Sequence, residues 1–399
     1  MPVDTDTLVE RARAALLRRN AVFEAFFAAE APRLATACHE MSRRFMAGGR
    51  LLAFGYGAAA TDAQHVSVEF VHPVIVGKRA LPALDVGPDA AAHLPVIARP
   101  DDMALGFCFP TAQSPDARAA EAAEVGRALR AARERGALTF ALAGPEGDYP
   151  FAPPDEDPLV CQEVFEVLYH LLWETVHVYF EHREQGHDVG ASSFLYPFLG
   201  RQEQELGTVM DEVRRSMLQK MEEVNRLRAA VAADEAGAIA RIAVDIAARV
   251  ARGGQIIAFG NGGSATDAND LVADCVAPPP GCAPIPAVSL AAEPANITAV
   301  ANDIGVEAIF SRQLIAHAGP TDIAVSFSTS GNSTNILAAL AEARKRGLLT
   351  VAFVGYDGGR IMSERLADHA VVVRSDYIPR IQEAQASAYH VLRRLIGEL

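Results

Sequence analysis

The chain has 399 residues, half of them hydrophobic, and a formal net charge of −14 at pH 7. This length and composition are enough for the cores of two domains without a metal or a disulfide. The negative charge argues against a large nucleic-acid surface, and the lack of a long apolar run argues against a membrane span, so we expect neither partner.

The first half predicts a parallel α/β domain behind a long helical lead. Apolar residues at helical spacing in Leu8–Met46 predict the lead, and the short apolar run Leu51–Phe54 predicts a strand buried on both faces. Further strands and helices alternate along the chain, which is typical of a parallel sheet with helices on both faces. The predicted strands are 104–109 and 139–143, and the predicted helices are 117–135 and 159–182.

The second half predicts the same order of elements. A helical lead over Leu206–Val250 precedes a buried strand, Ile256–Phe259, and a helix closes the chain at Ile381–Leu399. Strands are predicted at 323–327, 350–354 and 370–373, with a helix at 335–346. Gly, Ser and Pro between the halves predict a linker over residues 186–204, which separates a first domain, 1–185, from a second, 205–399.

The two halves are an internal repeat, because several landmarks recur in the same order. Gly55-Tyr56-Gly57-Ala58-Ala59-Ala60-Thr61-Asp62-Ala63 in the first half parallels Gly260-Asn261-Gly262-Gly263-Ser264-Ala265-Thr266-Asp267-Ala268 in the second. Each half also carries a glutamine eight residues before a histidine, Gln162/His170 and Gln382/His390.

Two loops of the second half are suited to bind an anion. The segment Gly260–Ser264 leaves a buried strand and opens a helix, so its backbone amides can approach a phosphate closely. Ser328-Thr329-Ser330-Gly331-Asn332-Ser333 also follows a buried strand and precedes a helix, and it offers four hydroxyl groups. Loops at the carboxyl ends of parallel strands converge where open α/β sheets bind ligands, so we expect an oxyanion site there.

These two loops resemble those of the sugar isomerase (SIS) domain, and more narrowly those of the phosphoheptose isomerases. Ala301-Asn302-Asp303 and Arg380-Ile381-Gln382-Glu383 match the same subfamily. The resemblance implies a flavodoxin-like fold, here as two tandem SIS domains, and conversion of sedoheptulose 7-phosphate into D-glycero-D-manno-heptose 7-phosphate. It also implies that Asp303, Gln382 and His390 contact the substrate and that the phosphate is held by Asn261, Gly262, Ser264, Ser328, Thr329, Ser330 and Ser333.

The second half departs from the family pattern at one point. Where the family has His and Glu four residues apart on the helix after the first loop, this half has Asp270 and Asp274. In the family those positions carry metal binding and proton transfer. We therefore expect that the second half alone lacks residues needed for metal binding and proton transfer.

The first half has the complementary set. His65 and Glu69 lie four residues apart, so they share one face of a helix and could bind one metal ion or one substrate. By resemblance, the metal ligands are His65, Glu69, Gln162 and His170, and the catalytic acid/base pair is Glu69 and His170. Imidazole and carboxylate groups suit zinc or a similar divalent ion.

The phosphate loops of the first half have lost their polar residues. Tyr56, Ala58 and Ala59 stand where Asn, Gly and Ser are needed, and the segment 109–115 contains two prolines, which lack an amide donor. We expect no ordinary phosphate site in this half. The complementary losses lead to the hypothesis of a composite site, in which the first half moves protons through an enediol and the second holds the phosphate.

Two alternatives remain open. One is a single catalytic centre within the second half, with Asp270 and Asp274 as weaker ligands beside Gln382 and His390. The other is a non-catalytic phosphosugar-binding or regulatory protein of the type that associates with the replication initiator. The complete set of His65, Glu69, Gln162 and His170 favours an enzyme, because a sensor needs no base.

Two further expectations concern the assembly and its surroundings. The family forms homotetramers of single SIS domains, so the resemblance implies a homodimer of this tandem chain, with four domains in all. The five cysteines are odd in number and lack metal-type spacing, which indicates reduced thiols and a cytoplasmic protein.

Overall fold

The computed structural model describes residues 4–74, 78–109, 114–184 and 206–399, with side chains described for the same residues except 181–184 and 206–209. The predicted linker and most of the first half's second loop, residues 110–113, lie outside the described residues. Among the helices that the structure describes, none has the length and apolar character needed to cross a bilayer.

The first sheet has five parallel strands in the order β2-β1-β3-β4-β5. Its central strands consist entirely of buried residues, which explains why they are mostly apolar. Leu51 of β1 pairs with Ala83 of β2 on one side and with Met103 of β3 on the other. The strands are β1 (Leu51–Phe54), β2 (Ala83–Asp85), β3 (Met103–Phe107), β4 (Leu138–Leu142) and β5 (Tyr149–Phe151).

The second sheet repeats this topology in the order β7-β6-β8-β9-β10. In both sheets the first strand of the domain lies between the second and the third, which is the 2-1-3-4-5 order of flavodoxin-like folds. The predicted fold of two tandem flavodoxin-like domains is thus confirmed. The strands are β6 (Ile256–Phe259), β7 (Ala287–Ser289), β8 (Ile323–Ser328), β9 (Leu349–Gly355) and β10 (His369–Val373).

Helices flank both sheets, and their bounds agree with most of the predicted ones within a few residues. In the first half they are α1 (Thr5–Met46), α2 (Ala59–Val71), α3 (Ala90–Ile97), α4 (Pro115–Glu134) and α5 (Pro158–Glu184). In the second half they are α6 (Leu206–Asp234), α7 (Ala236–Val250), α8 (Gly263–Val276), α9 (Pro294–Asp303), α10 (Ile309–His317), α11 (Thr334–Lys345), α12 (Gly359–Ser363) and α13 (Ile378–Gly397). A 3-10 turn, Val306–Ala308, precedes α10.

The second helical lead is broken, which the sequence pattern did not predict. Glu235 separates α6 from α7, and its carboxylate accepts a hydrogen bond from Arg374 Nη1 at 3.1 Å. This contact ties the turn between the two helices to the residue that follows β10. Apolar periodicity alone cannot register such an interruption, because it continues on both sides of Glu235.

The described residues divide into two compact units. The first unit contains residues 21–109, 116–184 and 206–225 with the first sheet, and the second contains residues 4–20, 114–115 and 226–399 with the second sheet. The first turns of α1 belong to the second unit because Leu8, Ala12 and Leu16 share a hydrophobic core with Ile239 and Ile242. The boundaries predicted in chain order, 1–185 and 205–399, remain a prediction.

Candidate functional site

The carboxyl ends of β6 and β8 lie side by side in the second sheet, since Phe259 pairs with Ser326. The helices that follow these strands pack in different cores. Leu271 of α8 packs in the core that contains α7 and α13, whereas Leu340 of α11 packs in the core that contains α10. The chain therefore leaves adjacent strands toward opposite faces, and such a switch point opens a crevice for a ligand.

The first of the two loops is shaped by glycine. A Cβ atom on Gly260 would lie 2.1 Å from the carbonyl oxygen of Ser264, so only glycine fits this turn. Gly262 has a φ of 57° and is the N-cap of α8, and no side chain caps that helix end. The positive end of the α8 dipole is thus open to an anion. Ser264 lies buried in the first turn of the same helix.

The second loop keeps its hydroxyl groups available as donors. Ser328 Oγ accepts a hydrogen bond from the Gly331 amide at 3.2 Å, and Ser330 Oγ accepts one from the Asn332 amide at 3.2 Å. A serine hydroxyl that accepts from an amide still has its own O–H to donate, as a phosphate oxygen requires. Ser333 is the N-cap of α11 but makes no side-chain capping bond.

Other contacts tie these two loops together and to the strand beyond. Asn261 and Asn335 exchange side-chain hydrogen bonds, with Nδ2–Oδ1 distances of 2.9 and 2.8 Å. The Gly355 amide, at the end of β9, donates to the Thr329 carbonyl at 2.9 Å. Asn335 was not predicted, although its place one residue inside α11, after a hydroxyl-rich loop, is a recognisable signal. Hydrogen bonds therefore join the first loop to the start of α11 and the second loop to the end of β9.

The remaining predicted residues of the second half lie on two helices. Asp303 is exposed at the end of α9, where Asn302 Nδ2 donates to its Oδ1 at 2.7 Å. Gln382 and His390 are buried on α13, two turns apart.

His390 meets the two aspartates of α8. Its Nε2 lies 3.0 Å from Asp270 Oδ2 and 3.4 Å from Asp274 Oδ2, and the Tyr389 hydroxyl donates to Asp270 at 2.8 Å. Asp270, Asp274 and His390 offer ligand atoms within 4.8 Å of one another. The second unit thus contains a buried group of two carboxylates and one imidazole.

In the first unit, α2 and α5 bring together the four predicted metal ligands, which are His65, Glu69, Gln162 and His170. The rings of His65 and His170 are 5.2 Å apart between centroids and nearly perpendicular. His65 Nε2 lies 3.8 Å from Glu69 Oε1. Gln162 Nε2 donates to Asp62 Oδ2 at 2.9 Å, which fixes the orientation of the amide. All five side chains are buried.

One residue of this cluster escaped the sequence reasoning. Glu166 is buried, and its carboxylate lies with nitrogen atoms of His65 and His170 in a group whose ligand atoms are within 4.8 Å of one another. Gln162, Glu166 and His170 are spaced four residues apart on α5, and that spacing was a usable signal. Two imidazoles and a carboxylate in a buried site fit a divalent ion such as zinc.

The first unit keeps the backbone of its glycine loop without the polar residues. A Cβ atom on Gly55 would lie 2.4 Å from the Ala59 carbonyl oxygen, as on Gly260 in the second unit, and Gly57 has a φ of 59°. Ala58 caps α2 without a side-chain hydrogen bond. Tyr56 replaces the asparagine, and partial burial raises the pKa of its phenol.

Comparisons with known proteins place these features among sugar-phosphate enzymes. The family model of the SIS domain matches residues 221–355. A phosphoheptose isomerase from Solidesulfovibrio magneticus is 40% identical over 182 residues, which are 44% of this chain and 85% of that protein. A phosphoheptose isomerase from Aquifex aeolicus is 36% identical over 188 residues, 46% of this chain and 97% of that protein.

A solved structure is similar over both halves. It is the tagatose-6-phosphate ketose/aldose isomerase from Escherichia coli, with 13% sequence identity and a TM-score of 0.52. The match covers 100% of this chain and 94% of the Escherichia coli chain. At that identity the similarity is one of fold. It extends over a pair of domains, as the two sheets of this chain do.

Proposed function

The chain belongs to the phosphoheptose isomerase family of SIS-domain proteins, and from that premise we propose that it interconverts an aldose and a ketose sugar phosphate. The proposed substrate is sedoheptulose 7-phosphate and the product D-glycero-D-manno-heptose 7-phosphate. The observation that carries the proposal is the buried cluster of His65, Glu69 and His170, because isomerisation needs a base and an acid beside the reacting carbons.

The second unit supplies the phosphate anchor in this proposal. Asn261, Gly262 and Ser264 of the first loop offer side-chain and backbone donors at the open end of α8. Ser328, Thr329, Ser330 and Ser333 offer hydroxyl groups from the second loop. Asp303, Gln382 and His390 would contact the sugar. Binding energy from a phosphate that does not react positions the carbons that do.

The first unit supplies proton transfer. The Glu69 carboxylate takes the proton from the hydroxyl-bearing carbon next to the carbonyl, and it returns that proton to the former carbonyl carbon. His170 is the acid partner: it donates an N–H proton to the carbonyl oxygen as the enediol develops and regains a proton from the neighbouring hydroxyl. A divalent ion, with zinc as the best match to the donors, would polarise the carbonyl when held by His65, Glu69, Gln162 and His170.

A composite site predicts that activity needs residues of both units. Glu69→Ala removes the base and Ser330→Ala removes a phosphate donor, so each single variant is expected to abolish turnover of sedoheptulose 7-phosphate. The assay is run on the full chain with and without a chelator. Turnover retained in either variant would contradict the composite site.

A second candidate places the whole reaction in the second unit. The observation in its favour is the contact of His390 with both Asp270 and Asp274. Asp274→Ala and Glu69→Ala separate the candidates. Loss of activity in Asp274→Ala alone would favour the single centre, whereas loss in Glu69→Ala alone would favour the composite site.

The proposal extends to assembly and location. A homodimer would present four SIS domains, and light scattering should then give about twice the 42.5 kDa of one chain. All five cysteines are free thiols, which fits a reducing compartment and supports a cytoplasmic location. A mass corresponding to one chain would contradict the dimer.

A further inference from the structure

We propose that Gln385 is a further substrate-binding residue of the second unit, where its amide recognises a hydroxyl group of the sugar. This inference rests on the proposed function and deepens it, because it adds a contact to the carbon chain of the substrate. Gln385 lies on α13, three residues after Gln382. Its role follows from its place on that helix, from the repeat and from the state of its amide.

The packing of α13 places Gln385 beneath the second loop, residues 328–333. One turn before it, Ile381 lies against Gly355 at the end of β9, since a Cβ atom on that glycine would lie 2.6 Å from Ile381 Cδ1. One turn after it, the ring of Tyr389 meets the ring of Phe327 in β8 edge-on, with 5.4 Å between centroids. Residues four apart share one face of a helix. Gln385 therefore faces the sheet where β8 and β9 end and the second loop begins.

The repeat supports the same placement independently. Phe165 of the first unit holds the position of Gln385, three residues after the recurring glutamine of the closing helix. Its ring stacks on Phe109, with 6.0 Å between centroids and 15° between planes. Phe109 follows the first residue of β3 by six positions, as Thr329 follows the first residue of β8, and both strands start in register with the first strand of their sheet. The side chain at this position of the closing helix thus faces the loop after the third strand.

The amide of Gln385 is buried and unpaired. Its exposed fraction is 0%, and neither its Nε2 nor its Oε1 has a hydrogen-bond partner among the residues that the structure describes. A buried amide without a partner costs free energy, and in a natural protein it indicates a polar partner from outside the chain. Gln382 and His390, the predicted sugar contacts on the same helix, are equally buried, with exposed fractions of 2% and 0%. Burial therefore does not separate Gln385 from a site residue.

The chemistry of an amide fits a hydroxyl group better than a phosphate. A glutamine side chain offers two N–H donors and one carbonyl acceptor without charge, and a hydroxyl group can both donate and accept. A phosphate dianion only accepts, and the open end of α8 and the hydroxyl groups of the second loop already offer it donors. The first unit, whose glycine loop lacks these polar residues, has the apolar ring of Phe165 at the same position. The amide thus accompanies the half of the chain that holds the sugar phosphate in our proposal.

The test is Gln385→Met in the full chain, which removes the amide and keeps the length of the side chain. Its free energy of unfolding in urea, measured without ligand, should equal or exceed that of the wild type, because an unpaired polar group leaves the core. Its apparent affinity for sedoheptulose 7-phosphate, measured by calorimetry, should fall roughly five- to tenfold, because a sugar hydroxyl loses its partner. Its affinity for inorganic phosphate should not change.

Gln313→Met is the matched control, because Gln313 is a second buried glutamine of the same unit whose amide is paired. Its Nε2 donates to the carbonyl oxygens of Leu290 and Ile309, each at 3.0 Å. This variant should lower the free energy of unfolding and leave both affinities unchanged. The two variants are thus expected to act in opposite ways, one on affinity without loss of stability and the other on stability without loss of affinity.

Three results would overturn the assignment of Gln385. A Gln385→Met chain that is less stable than the wild type, or does not fold, would show that the amide serves the fold. Unchanged affinity for the sugar phosphate would remove the contact, and weakened binding of inorganic phosphate would assign Gln385 to the shape of the loop. Failure of the proposed function is distinct: a wild-type chain that binds sedoheptulose 7-phosphate without isomerising it contradicts that function and leaves the affinity comparison intact, and one that binds none overturns both.

Discussion

A Cβ atom on Gly359 would lie 2.4 Å from the carbonyl oxygen of Ser330, so the loop after β9 touches the serine-rich loop backbone to backbone. The contact is reciprocal, since a Cβ atom on Gly331 would lie 2.1 Å from the Gly358 carbonyl oxygen. The Ile361 amide also donates to the Gly331 carbonyl at 3.1 Å. The shape of the serine-rich loop therefore depends on glycine in its neighbour.

Gly359→Ala should weaken binding of the sugar phosphate about tenfold, seen as a higher KM with a smaller change in kcat. The new methyl group displaces Ser330, and a loss of about 1.4 kcal/mol in the free energy of phosphate binding corresponds to that tenfold factor. Gly281→Ala is the matched control, because Gly281 also has a positive φ, 87°, but has open space around the new Cβ. An equal rise in KM in both variants would assign the effect to backbone strain.

Asn335→Ala should also raise KM, by roughly five- to tenfold, because it removes both hydrogen bonds to Asn261. Each such bond contributes about 0.5–1.5 kcal/mol. Binding of inorganic phosphate, measured by calorimetry, should weaken in parallel. Asn296→Ala is the control, since that exposed side chain bonds only Glu293, the N-cap of α9, among the hydrogen bonds described for it. Equal phosphate binding in both variants would contradict the role of Asn335.

The buried ion pair between Lys220 and Glu174 should be a large determinant of the first unit's stability. Lys220→Met leaves the Glu174 carboxylate buried without its cation, and we expect a loss of about 3–5 kcal/mol in the free energy of unfolding. The double variant Lys220→Met, Glu174→Leu should recover most of it. Fluorescence of Trp173, the single tryptophan, follows urea unfolding of this unit. A double variant as unstable as the single one would contradict the pair model.

Stability should fall in alkali through buried thiols. Burial raises the pKa of Cys275 to about 12 from 9.0, so between these values the unfolded chain loses a proton that the folded chain keeps. Stability is then full below pH 9 and declines by about 1.4 kcal/mol per pH unit above it for this one thiol. Cys275→Ala should reduce the slope of unfolding free energy against pH between 9.5 and 10.5 by that amount. An unchanged slope would show that groups other than Cys275 determine the pH dependence of the unfolding free energy.

Thiol reagents should distinguish the five cysteines. Burial raises the pKa of Cys108 and of Cys161 to about 12, and it raises the pKa of Cys38 further. Because the thiolate is the reactive form, Cys282, which is partly exposed, should be labelled first by iodoacetamide at pH 8. Peptide mapping after short labelling checks this order, and early labelling of Cys38 would contradict it.

The central strands were predictable because β1, β3, β6 and β8 are buried throughout and are mostly apolar, with Ser326 and Ser328 as the polar residues of β8. The edge strands β2, β5 and β7 were not, since each has three residues with mixed exposure and leaves no pattern. His65 and Glu69 could be found from helical spacing. Glu166 shares the four-residue spacing of Gln162 and His170, but its burial was not predictable, because a glutamate on a helix ordinarily faces solvent and here α5 packs against α2.

The matching backbone of the two glycine loops has a consequence for engineering. Gly57 and Gly262 share nearly the same φ, and Gly55 and Gly260 meet the same carbonyl in the following helix. The first loop therefore has the backbone shape of the second without its polar side chains. Three replacements, Tyr56→Asn, Ala58→Gly and Ala59→Ser, would give the first loop the second loop's sequence on a backbone that already fits it.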